Sequence, residues 1–107
     1  MNKEDIKIKS RELVKKLLEK FDKLNWRRTN TSGVYALSFE GIASVHIDKQ
    51  FLIVFNKDGS PIMENMPTAE EADAYYHVML WSKIDSGYRK HADKHLDLLL
   101  KELESIL

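Results

Sequence analysis

Residues 34–64 read VYALSFEGIASVHIDKQFLIVFNKDGSPIME, and the reading of this stretch decides the fold. Tyr35, Leu37 and Phe39 alternate with Val34, Ala36, Ser38 and Glu40, the period of two that puts successive side chains on opposite faces of a strand. Glu40-Gly41 marks a turn. Ala43, Val45 and Ile47 then alternate with Ser44, His46 and Asp48, which separates an apolar face from a polar one. Asp48-Lys49-Gln50 turns again into Phe51-Leu52-Ile53-Val54-Phe55, apolar on both faces, as suits a strand covered on both sides or lying at an interface. Asn56-Lys57-Asp58-Gly59 is a hairpin signal, and Pro61–Glu64 follows as a short edge strand. The stretch therefore predicts an antiparallel meander of three or four strands.

Upstream, Leu13, Val14, Leu17, Leu18, Phe21 and Leu24 recur at the spacing of one helical stripe, with Asn2 or Ser10 as candidate N-cap and Trp26 closing the stripe. The opposite face carries Lys9, Lys16, Lys20, Lys23 and Arg27. Thr29–Gly33 is a turn cluster that separates this helix from the first strand.

Downstream, Thr68 with Glu71 three residues on forms a capping box, opening a helix expected to run to about Ile84. Its positions are apolar nearly all round, and Glu70, Asp73 and His77 make its only polar stripe. Ser86-Gly87 is the expected break, because an interior glycine costs roughly 1 kcal/mol in a helix. A further helix from about Tyr88 carries Ala92, Leu96, Leu99, Leu103 and Ile106 in steps of four and three, the spacing of a short heptad seam, widened by Leu98, Leu100 and Leu107. Were Gly87 not to break the helix, residues 69–107 would extend about 58 Å, too long for so small a domain, and a dimer would be nearly forced.

The expected architecture is α+β: an N-terminal helix, a three- to four-stranded antiparallel β-meander, and two C-terminal helices packed on the sheet, as one domain over residues 1–107. A chain of 107 residues, 43% apolar and 32% charged, has material for one core and no second one. Without cysteine there is no disulfide framework, thiolate metal site or cysteine nucleophile. No apolar run approaches the roughly 20 residues of a membrane helix, and MNKEDIKIKS lacks the apolar core of a signal peptide, so a cytoplasmic location and no membrane partner are expected.

Lys+Arg and Asp+Glu balance at 17 each, but unevenly along the chain. Residues 1–28 hold ten basic and five acidic residues, and the remainder is acidic by the same margin, most of it between Glu40 and Asp73. Opposite halves either cancel internally or offer a charged face to a partner.

The candidate chemistry is sparse. His91 and His95 stand four apart on one helix face, a spacing at which two imidazoles can hold one metal ion, but no third ligand is fixed. Glu70, Asp73 and His77 combine carboxylates and imidazole, and are equally the wet stripe of a buried helix. Glu40, Asp48 and Glu64 are an acid/base pair only if the sheet brings two of them together. No serine sits in a nucleophile elbow, and four scattered glycines make no phosphate loop.

What remains is surplus apolar helix surface. The first expectation is a non-enzymatic protein-interaction module, a small regulator, inhibitor or immunity-type protein. It would need no cofactor and would meet another protein or a second copy of itself through Tyr76, Trp81, Tyr88, Leu98 and Leu100. The second is a nucleic-acid-binding protein using Lys16, Lys20, Lys23, Arg27 and Arg28 on phosphates, with Trp26 or Tyr35 stacking on a base.

Overall fold

The computed structural model describes residues 2–67 and 72–106, with side chains described from residue 74 onward in the second stretch. The chain is an α+β fold of one helix, a five-stranded antiparallel sheet and one long C-terminal helix. The order is α1 (Lys3–Glu19), a 3-10 turn (Phe21–Lys23), β1 (Arg27–Arg28), β2 (Tyr35–Phe39), β3 (Ala43–Ile47), β4 (Leu52–Asn56), β5 (Pro61–Asn65) and α2 (Ala72–Ser105).

Asn2 is the N-cap of α1. Its Oδ1 accepts the Asp5 amide at 2.9 Å, and Glu4 and Asp5 occupy the first turn, where carboxylates meet the positive helix end. Ser10 is buried in mid-helix, and its Oγ accepts from Asn65 Nδ2 at 3.0 Å, tying α1 to β5. The helix stops at Glu19, earlier than its apolar stripe suggests. The 3-10 turn keeps Phe21 and Leu24 packed on the core after the regular helix has ended.

The sheet is a plain meander, in spatial order β1-β2-β3-β4-β5. The expectation of three or four strands falls short by β1, two residues that pair with β2 as Arg27↔Ala36 and Arg28↔Tyr35. In the β3–β4 turn, Asp48 Oδ1 accepts the amides of Gln50 and Phe51 at 2.7 and 2.8 Å. In the β4–β5 turn, Asn56 Oδ1 accepts those of Asp58 and Ser60, and Gly59 supplies the positive φ of 88°.

Register sorts the side chains. Leu37, Val45, Val54 and Met63 align across four strands, as do Tyr35, Ile47, Leu52 and Asn65. This face packs with Val14 and Leu17 of α1 and with Leu80 and Ile84 of α2 to form the core. The alternate set, including Ser44, His46, Ile53 and Phe55, points the other way. β4 is thus covered on one side only, and Ile53 and Phe55 are half-buried on the open face, with Phe55 packed edge-on against His46 at 4.9 Å.

The two expected C-terminal helices are one. Gly87 lies inside α2 without a positive φ and does not break it. Its cost of roughly 1 kcal/mol is outweighed by contacts on both sides. Leu80 and Ile84 anchor the preceding turns, Tyr88 the following one, and the Asp85–Arg89 ion pair at 2.8 Å spans the glycine. The capping box at Thr68 and Glu71 lies outside the described residues.

Candidate functional site: an apolar helical arm

The first half of α2 is bolted to the body by four hydrogen bonds and one aromatic stack. His77 is buried, and its Nε2 lies 2.7 Å from the Asp48 carbonyl. Trp81 donates its indole N–H to the Gly33 carbonyl at 2.8 Å. Tyr35 donates to Asp85 Oδ1 at 2.6 Å and stacks on Tyr88 with ring centroids 5.2 Å apart. The Tyr88 hydroxyl in turn donates to the Trp26 carbonyl. Burial, with the Asp85 carboxylate holding its proton, pushes the Tyr35 phenol up to about 12, so it acts as a donor and not as a base.

Beyond Tyr88 the helix leaves the body: Arg89 and Ala92 still rim a recess with Arg28 and Gly33, and His91 another with Trp26. Every described side chain from Arg89 to Ile106 is exposed. At 1.5 Å per residue α2 is about 51 Å long, of which the last 26 Å form a free arm. The radius of gyration, 16.8 Å, exceeds the roughly 13 Å of a compact chain of this length, and the long axis reaches 64 Å.

The arm is not polar. Leu96, Leu99, Leu100, Leu103 and Ile106 are each between 54% and 66% exposed. At 100° per residue, Ala92, Leu96, Leu99, Leu103 and Ile106 fall on one side, Leu100 flanks them, and Leu98 points away from them. A second exposed apolar group, Tyr75, Val78 and Met79, lies at the start of α2. Contiguous apolar surface of this kind marks interaction sites on small proteins.

Of the five residues expected at an interface, three are engaged within the chain. Trp81 and Tyr88 are attachments, and Tyr76 packs on the core with the Lys15 ammonium 4.8 Å above its ring. Leu98 and Leu100 stand exposed on the arm. The seam residues were legible as a heptad pattern. The Tyr35–Asp85–Arg89 chain was not, since it joins positions 50 apart with no periodic signal.

The basic residues do not form one stripe. Lys16 lies in α1, Lys20 is its C-cap, Lys23 is in the 3-10 turn, and Arg27 and Arg28 belong to β1, where Arg27 donates to Ser38 Oγ at 3.2 Å. Trp26 packs on the core, and Tyr35 is buried under Tyr88. Neither ring is placed to stack on a base.

The other chemical candidates disperse too. The His91 and His95 rings meet edge to face at 4.4 Å, both exposed, and among the described residues no three potential ligands converge on one point. The polar stripe expected on α2 is corrected at His77, which faces the core while Tyr75 and Val78 face solvent. The Glu70 position and the Asp73 side chain lie outside the described parts. Glu40 and Asp48 sit at opposite ends of β3, roughly 17 Å of strand apart, and Glu64 pairs across from Ile53. A groove of about 910 Å³ is lined by Lys49, Gln50, Met66, Pro67, His77 and Met79. Among the described residues no helix is long and apolar enough to cross a membrane.

No family model, no curated protein and no solved structure matches the chain.

Proposed function

We propose that the protein is a non-enzymatic interaction module, a small regulator, inhibitor or immunity-type protein, whose working part is the arm of α2. One observation carries this reading: past Arg89 the helix presents six large apolar side chains, Leu96, Leu98, Leu99, Leu100, Leu103 and Ile106, each more than half exposed. Isolated helices shorter than about 12–15 residues are marginal in water, and most helical stability comes from packing an amphipathic face. The arm continues an anchored helix, and what it binds supplies the packing its apolar face lacks.

The test is capture of partners from the native lysate on immobilised protein, with a Leu96→Glu/Leu103→Glu variant beside the wild type. Both positions are exposed, so the fold should persist by circular dichroism and melting. Partners held by wild type and lost with the variant support the reading, and equal capture by both removes the arm from it.

A second reading, nucleic-acid binding, is favoured by the exposure of Lys16, Lys20 and Lys23 around the C-terminal end of α1. Binding through several phosphates would collapse between about 50 and 200 mM salt, and reversing these three charges would abolish it. Affinity unchanged by that reversal ends the idea.

A further inference from the structure

We infer that the arm is built to pair with the arm of a second copy of this chain, antiparallel, about a two-fold axis between Leu96 and Leu99. The inference rests on reading the arm as an interface and adds the occupant and its direction. Two features of the arm select them.

The first is the seam. Ala92, Leu96, Leu99, Leu103 and Ile106 keep the four-three spacing that lets two helices interlock along a narrow apolar line. A two-fold contact uses the same patch twice, so the patch must complement itself. With the axis between Leu96 and Leu99, Leu96 of one copy meets Leu99 of the other, and Ala92 meets Leu103. A small side chain then faces a large one in the layers on either side of the central pair, and Ile106 falls opposite Arg89.

The second is charge. From Arg89 to Lys94 the arm holds three cations and one carboxylate, and from Asp97 to Glu104 three carboxylates and one cation. Antiparallel pairing sets the basic end of each copy against the acidic end of the other, and brings His95 beside Glu102 of the second copy. Parallel pairing sets like against like, which costs stability and selects against that register. The body continues the pattern. Arg28 and Arg89 rim a recess of about 210 Å³ lined by Trp81, Asp85, Tyr88 and Ala92, on the same side of α2 as the seam; Asp85 is already paired with Arg89 there, which leaves Arg28 as the recess's further cation. With Leu103 of the second arm opposite Ala92, its Glu102 and Glu104 stand opposite residues 91–93, at the outer edge of that recess.

Because the chain lacks cysteine, introduced thiols report pairing cleanly. Chains bearing Ala92→Cys and Leu103→Cys are mixed, joined with a short thiol-specific crosslinker, and resolved by mass spectrometry. The expected products are 92–103 crosslinks between copies. Light scattering should give about twice 12.5 kDa for wild type at low micromolar concentration, at least tenfold weaker association for Leu99→Glu, and none of that loss for Leu98→Glu on the far side. Crosslinks confined to 92–92 and 103–103 overturn the antiparallel pairing. A 12.5 kDa mass up to about 100 μM overturns the second copy as occupant while leaving the arm open to another protein. A dimer untouched by Leu99→Glu overturns both the inference and the reading on which it rests.

Discussion

The imidazole of His77 has one good partner and one missing. The Asp48 carbonyl can only accept, so Nε2 carries the proton, and Nδ1 is left as a bare acceptor, buried and unpaired. Burial holds this histidine below its ordinary range, against the pull of the Asp48 contact. His46 is lowered too, by burial first and then by Arg27. In both cases the unfolded chain binds protons more readily than the folded one, so stability rises with pH across the window between the folded and unfolded values. The protein should therefore be steady above pH 7 and lose stability as pH falls below about 6.5, the unfolded value. His77→Gln, which retains an N–H for Asp48, should flatten the slope of melting temperature against pH in that window. An unchanged slope would place the acid sensitivity elsewhere. At Tyr88, loss of the hydroxyl keeps the stack on Tyr35 and removes the donor to the Trp26 carbonyl. Tyr88→Phe should cost about 1 kcal/mol, read as a lower urea midpoint at unchanged m-value.

Gly87 shows how elements are decided above the level of the residue. Its intrinsic penalty is real, and it is what makes Ser86-Gly87 read as a break, yet the anchored turns on either side carry the helix through. The site is exposed, has an ordinary φ, and has open space where a Cβ would stand. Gly87→Ala should consequently stabilise the protein by up to about 1 kcal/mol without changing its association. A destabilised Gly87→Ala would mean that α2 bends there in solution. β2 and β3 were readable from their own alternation, β4 from a continuous apolar run between two turn signals, and β5 from the hairpin signal that precedes it. β1 was not, because a two-residue strand has no period and exists only through its pairing with β2. The end of α1 was missed for a related reason: Phe21 and Leu24 continue the apolar stripe while the backbone tightens into a 3-10 turn, and spacing alone cannot separate the two. His77 reads as solvent-facing from its helical spacing with Glu70 and Asp73, and spacing alone does not distinguish a buried imidazole from a wet one.

At the scale of the whole molecule, the fold divides into a body that buries one face of a sheet and an arm that buries nothing. The leucine seam was visible in the sequence together with its consequence, that an unbroken C-terminal helix would outgrow the domain. What could not be read was which aromatics the body would keep for itself. Tyr76, Trp81 and Tyr88 have the character of interface residues, and the fold uses them to fasten α2 to the sheet. The apolar surface left over is therefore the aliphatic seam farther along the helix, with Tyr75, Val78 and Met79 at its start.

Hydrogen exchange of the arm amides, residues 92–105, measured as a function of protein concentration, tests this account most directly. Unpaired, a helix this short frays and its amides exchange fast; paired, they are held by the seam. Protection that grows at least tenfold between about 1 and 100 μM, in step with the light-scattering mass, is the predicted result. Protection that is already high when the protein is dilute and monomeric would contradict it, since the arm would then be covered by its own chain.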